Sequence, residues 1–208
     1  MKLKICGIRN KEMLDFCEKN QVDFCGFNFV PTSKRKINTD FHVPKNFKPK
    51  KVGIFMDQSF DEVSEILNKF YLDIAQFHGN EDAIVLQKLK EHFPELIMWK
   101  AFSVKEGFDV NKLQWYCINV DMLLFDGASP GSGQEIEVEN KEMLQAAIKS
   151  CEELDIPYGI AGGINFENIA EFKKKFSKAS FLDTASGVEK DGKFDISTAQ
   201  KLITNFKK

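Results

Sequence analysis

The chain has 208 residues, 43% hydrophobic and 29% charged, a size and balance that suit one globular domain with a sizeable core. Its 29 basic and 31 acidic residues leave a formal net charge of −2, which offers no electrostatic grip on nucleic acid or on an acidic membrane surface. No apolar run approaches a membrane span, the start lacks the basic-then-apolar order of a secretory signal, and the five cysteines (Cys6, Cys17, Cys25, Cys117, Cys151) contain no CxxC pair, so free thiols in a reducing cytoplasm are expected.

The elements alternate from end to end. LKIC, ending at Cys6, reads as a strand, and Asn10 then caps a helix running to about Lys19 with Met13, Leu14 and Cys17 on one face. DFCGFNF (residues 23–29) is the second strand. A loop bearing Pro31, Ser33, Lys34 and Arg35 follows, then a weakly signalled helical segment near 38–47. KKVGIFM is the third strand, and SFDEVSEILNKF a helix with a serine cap and Val63, Ile66 and Leu67 turned inward. DIAQFHG and ELIMWKAF are the fourth and fifth strands, with the helix NEDAIVLQKLKEHF between them. DVNKLQWY predicts only a short or irregular fifth helix. VDMLLFDG and NKEMLQAAIKSCEEL form the sixth pair. YGIAGG with FENIAEFKKKF, and SFLDTASG with ISTAQKLITNF, complete two more.

Eight near-continuous apolar strands, most followed by a helical pattern, predict a parallel sheet covered on both sides. The expected fold is α/β, a single-domain (β/α)8 TIM barrel over residues 1–208. The rival, an open doubly wound sheet, calls for a Gly-rich turn after the first strand, and KICGIRN has a single glycine there.

A barrel of this kind works at the C-terminal ends of its strands. The residues expected there are Cys6, Arg35, Asp57, Gln76, His78, Lys100, Asp126, Gly162, Gly163, Asp183, Ser186 and Gly187. The turns AGGI and ASGV close the last two strands. Glycine lets backbone N–H groups approach an anion, so Gly162, Gly163, Ser186 and Gly187 together favour a phosphate site. Taken singly, the other residues have plain structural readings. A cysteine at a strand end is usually a small buried hydrophobe, and an aspartate closing a strand beside Gly127 is usually a turn former.

KICGIRN, GFNFVPTSKRKI, KKVGIFMD, IAQFHGNE, LLFDGASPGSG, IAGGINFENI and DTASGVEKDGKFD stand in the order and spacing of one family. From Lys4 to about Asp195 the chain resembles the phosphoribosylanthranilate isomerases. The resemblance implies the same barrel and an Amadori rearrangement in tryptophan biosynthesis, with a small phosphorylated aminosugar as substrate and neither cofactor nor metal. It also implies Cys6 as general base, Asp126 as general acid, Arg35 as the holder of the anthranilate portion and Asp183 near the ribose hydroxyls. Such a base needs a thiol pKa below its reference of about 8.5, and such an acid must hold a proton against a reference near 3.9. His78 and Gln76 read as structural polar groups at the rim. Three departures stand out: Pro130 precedes Gly131-Ser132-Gly133, QEIEV follows them, and Ala185-Ser186-Gly187 replaces a Ser-Ser-Gly.

Other phosphosugar barrels remain in view. A metal-dependent epimerase would want histidines at strand ends, yet His92 falls in a helix. A synthase closing an indole ring would want a lysine acid, for which Lys100 is the strand-borne candidate. A non-catalytic phosphate-binding barrel would have no need of both Cys6 and Asp126. Oligomeric state is not legible in these patterns.

Overall fold

The computed structural model describes residues 1–38, 40–105, 107–126 and 136–208, without the side chains of 136–140. Eight parallel strands close into a barrel in sequence order. They are β1 (Lys2–Cys6), β2 (Phe24–Asn28), β3 (Lys50–Phe55), β4 (Ile74–Phe77), β5 (Ile97–Ser103), β6 (Met122–Asp126), β7 (Tyr158–Ala161) and β8 (Phe181–Thr184). Closure is made by β8 on β1, with Lys4 opposite Asp183 and Ile5 opposite Thr184. The helices are α1 (Lys11–Lys19), α2 (Phe60–Phe70), α3 (Ala83–His92), α4 (Leu113–Cys117), α5 (Ile136–Glu153), α6 (Ile169–Lys175) and α7 (Ile196–Phe206). A two-stranded hairpin, β9 (Glu189–Lys190) and β10 (Lys193–Phe194), sits between β8 and α7. Among the described residues no helix is long and apolar enough to cross a membrane.

Local chemistry explains the starts of these helices. Asn10 Oδ1 accepts from the Met13 amide at 2.9 Å. Ser59 and Glu62 form a reciprocal capping box, and Asp82 and Asp195 cap α3 and α7. The fifth helix is short, as its sequence predicts: a 3-10 turn at Val110–Lys112 leads into the five residues of α4.

One expectation fails. The segment near 38–47 is not helical among its described residues; it crosses from β2 to β3 through turns. Pro44 lacks the amide a helix interior needs, and Asn38 Oδ1 takes the Asp40 amide into a local turn at 3.0 Å. Its apolar residues still reach the core, with Val43 and Phe47 buried.

Side chains alternate along each strand, which divides the core in two. The outward set packs under the helices. The inward set contains Phe24, Val52, Ile74, Trp99, Ala101, Leu124, Ala161 and Phe181. Trp99 stacks on Phe181 with centroids 4.7 Å apart, and Phe24 meets both rings edge-on. This aromatic plug floors the lumen, each fully buried ring contributing on the order of 2–3 kcal/mol of transfer free energy. One step further along the strands, the inward positions become polar: Lys4 and Cys6 on β1, Gln76 on β4, Asp126 on β6, Asp183 on β8.

Candidate active site

Cys6 is the last residue of β1 and stands opposite Gly26 of β2. A side chain at Gly26 would bring its Cβ within 2.8 Å of the Cys6 sulfur, so this glycine makes the room the thiol occupies. Two residues back on the same face, Lys4 is fully buried and donates to Asp183 Oδ2 at 2.6 Å. The other oxygen, Asp183 Oδ1, is buried without a hydrogen-bond partner among the described residues. Burial pushes the Cys6 thiol up to about 11. The Lys4 ammonium and the Arg35 guanidinium pull it down, and the Asp183 carboxylate adds to the rise. The lowered thiol pKa that a base would want is therefore not met by these surroundings, because desolvation outweighs both cations. Burial also raises the Asp183 carboxyl, with Lys4 opposing.

Gln76 and His78 face each other through their Nε2 atoms. Burial, reinforced by the charges of Lys4 and Lys100, pushes His78 down to about 3. A ring held neutral in this way accepts the Gln76 amide proton and carries none of its own at Nε2. Gln76 Oε1 is left buried without a partner among the described residues.

Arg35 reaches the same end of the barrel from the loop after β2. Its Nε and one terminal nitrogen donate to the two carboxylate oxygens of Glu189 at 2.9 and 2.7 Å. Its aliphatic stem lies over Gly7, whose φ of +85° and missing side chain allow the approach; a Cβ there would stand 2.6 Å from Arg35 Cδ.

The two glycine turns do come together. Gly162 and Gly163 follow β7 with φ of +98° and +65°. After β8, Ser186 and Gly187 open a 3-10 turn (Ser186–Val188). Thr184 Oγ1 donates to the Ile164 carbonyl at 2.6 Å, and a side chain at Gly187 would collide with that same carbonyl. One loop is thus seated on the other.

Asp126 ends β6, separated from β1 by β7 and β8 in the closed order, and its carbonyl accepts the Val104 amide at 3.0 Å. The departures at Pro130, Gly131, Ser132 and Gly133 lie outside the described residues, as do Gln134, Glu135 and the side chains of the rest of the QEIEV stretch.

Lys100 does not stand in the lumen. It alternates with Trp99 and Ala101, so it points into the helix layer, where it meets Glu81 Oε2 at 2.9 Å and the Gly79 carbonyl at 2.6 Å. Glu81 Oε1 meanwhile accepts the Asp57 and Gly79 amides, and Asp57 Oδ1 the Asn80 amide. These residues tie the loops after β3 and β4 to each other, which removes Lys100 as an acid at the mouth. Sequence reasoning passed over Lys4, Glu81 and Glu189. A lysine inside an apolar strand is a signal that could have been used, since a buried ammonium demands a partner. Among the described residues no group of three or more His, Cys, Asp or Glu side chains is arranged to hold a metal ion.

Comparison with known proteins identifies the family. The family model described as N-(5'phosphoribosyl)anthranilate (PRA) isomerase matches residues 3–205. The N-(5'-phosphoribosyl)anthranilate isomerase of Brevibacillus brevis is 36% identical over 214 aligned residues, covering 98% of this chain and 90% of that protein. Its counterpart in Caldanaerobacter subterraneus subsp. tengcongensis is 33% identical, covering 98% and 96%. Among solved structures, phosphoribosyl anthranilate isomerase from Thermotoga maritima superposes with a TM-score of 0.81 at 26% identity, covering 100% of this chain and 98% of that one. A 3-hexulose-6-phosphate synthase shares the fold alone, at 15% identity and a TM-score of 0.67. With a family model spanning nearly its whole length and relatives above 30% identity, the chain belongs to the N-(5'-phosphoribosyl)anthranilate isomerase family.

Proposed function

We propose that this barrel mouth rearranges N-(5'-phosphoribosyl)anthranilate to 1-(2-carboxyphenylamino)-1-deoxyribulose 5-phosphate with Cys6 as base and Asp126 as acid. By its family the chain is an isomerase of tryptophan biosynthesis. The single observation that carries the residue roles is the setting of Cys6. It ends a strand on the inner wall, with a buried ammonium beneath it and a guanidinium beside it, whose charges favour the thiolate against the larger effect of burial.

The chemistry needs two proton transfers at separate atoms. Asp126 protonates the furanose ring oxygen, the C1′–O bond breaks, and the nitrogen lone pair closes a Schiff base. Cys6 then takes the C2′ proton, and the electron pair moves to give an enolamine. Protonation at C1′ and loss of the enol proton complete the aminoketose, so no electrons are gained or lost and no cofactor enters. Gly162, Gly163, Ser186 and Gly187 hold the phosphate through backbone donors. Asp183 keeps Oδ2 on Lys4 and offers Oδ1 to a ribose hydroxyl. Arg35 meets the anthranilate portion. Residues 1–208 act as one (β/α)8 barrel domain, and five free cysteines support a cytoplasmic setting.

The test is direct. Freshly made phosphoribosylanthranilate is fluorescent, and purified chain should drain that signal when the next enzyme removes the product. A signal that persists while a control isomerase clears it would rule the function out.

A further inference from the structure

Glu189 is the one carboxylate in the described structure that grips the guanidinium assigned to the substrate, and it does so on both oxygens. The pair joins parts of the chain 154 residues apart, and both side chains are largely shielded, 18% exposed for Arg35 and 8% for Glu189. Arg9 adds a second cation 3.6 Å from Glu189 Oε1 while its own terminal nitrogen donates to the Gly192 carbonyl at 3.2 Å. Glu189 is itself held firmly. It opens the β9–β10 hairpin opposite Phe194, whose ring packs edge-on against Phe16 at 5.5 Å, and the Asp195 amide closes on the Val188 carbonyl.

We propose that Glu189 is a positioning residue for the substrate's aromatic end: by taking the Nε edge of Arg35 it fixes the guanidinium plane beside Cys6. The inference rests on the function proposed above and deepens it. A guanidinium has five N–H donors. Glu189 occupies one from Nε and one from a terminal nitrogen, which leaves the far edge for the anthranilate carboxylate and a face for its ring. An arginine tethered only by its stem would have to surrender rotamer freedom at each binding event, a cost that fork-on-fork pairing removes beforehand. Glu189 also directly follows the Ser186–Val188 turn, so one hairpin sets the spacing between the phosphate end and the aromatic end of the ligand.

The variant Glu189→Gln keeps the shape but places an amide donor against an arginine donor. The expected result is a rise of about tenfold in KM for phosphoribosylanthranilate with a smaller fall in kcat, the scale of one lost charge-assisted bond. Inhibition by inorganic phosphate should stay within about twofold of the parent, because the glycine turns are untouched. Glu189→Asp, which keeps the charge, should recover part of the lost affinity. In an Arg35→Met background Glu189→Gln should change KM no further. A fluorescence titration with anthranilate alone repeats the comparison without turnover, and Glu189→Gln should weaken that binding similarly. A parent that turns over the substrate, beside a Glu189→Gln enzyme of unchanged KM, would overturn the positioning role while leaving the function standing. Equal weakening of phosphate and anthranilate would also overturn it, since that marks a general structural role. A parent that neither turns over the substrate nor binds anthranilate would overturn both.

Discussion

The Cys6 thiol carries the most specific prediction. Its surroundings push it up to about 11, so near neutral pH only a small minority of molecules carries the thiolate. In the proposed mechanism the productive form needs that thiolate and a protonated acid together. When the base has the higher pKa, this form is a minor species, level between the two values and falling on either side. The alkaline limb of kcat/KM should therefore belong to Cys6 and lie near 11, with the acidic limb set by the proposed general acid. That order is the reverse of an enzyme whose base ionises first. The perturbation is Lys4→Met combined with Asp183→Asn, which removes both members of the buried ion pair and so avoids stranding a carboxylate. Lys4 outweighs Asp183 in its effect on the thiol, so losing both should raise the thiol further. Alkylation of Cys6 by iodoacetamide at about pH 8, followed on its own peptide by mass spectrometry, should slow roughly tenfold, the equivalent of ~1.4 kcal/mol. A parent midpoint below about 8, or a double variant alkylated as fast as the parent, would refute the electrostatic assignment.

Other substitutions separate space, proton delivery, phosphate grip and stability. Gly26→Ala puts a Cβ 2.8 Å from the Cys6 sulfur and 3.1 Å from its Cα, and should cut kcat by about tenfold or more while lowering stability by about 1–3 kcal/mol, measured by the fluorescence assay and thermal melting. Asp126→Asn should lower kcat by about 100-fold or more while a reduced, product-like analogue still binds; loss of that binding would make Asp126 a positioning residue instead. Gly187→Ala drives a methyl at the Ile164 carbonyl and should weaken inhibition by inorganic phosphate more than it lowers kcat. Lys100→Met leaves Glu81 buried without its cation and should cost about 3–5 kcal/mol of stability in denaturant titrations, with the catalytic pH limbs unmoved.

The barrel was legible because parallel strands buried on both faces read as continuous apolar runs. KICGIRN and VDMLLFDG announce both the strand and the residue that ends it, and DFCGFNF announces its strand. Helix starts were legible where a cap stood in plain view, at Asn10 and Ser59. The segment near 38–47 misled because Val43 and Phe47 are apolar four residues apart while Pro44 opposes the helix, and burial alone does not name a secondary structure. Pairings between distant parts of the chain were hidden. Neither Lys4 with Asp183 nor Arg35 with Glu189 follows from spacing, since each depends on β8 closing on β1. The direction of the Cys6 shift was hidden for a similar reason, because it is a balance between burial, the charge of Lys4 on the same strand, and the charges of Asp183 and Arg35 brought from elsewhere in the chain.

The central claim is that Cys6 removes the C2′ proton, and deuterium at that carbon reports on it directly. Phosphoribosylanthranilate labelled at C2′ should release its deuterium to water as the parent turns over, with a primary isotope effect on the proton-transfer step. In Cys6→Ser that release should slow by about 100-fold or more while inorganic phosphate still binds as in the parent. Release from Cys6→Ser at the parental rate would contradict the account, because the base would then be another group of the barrel mouth.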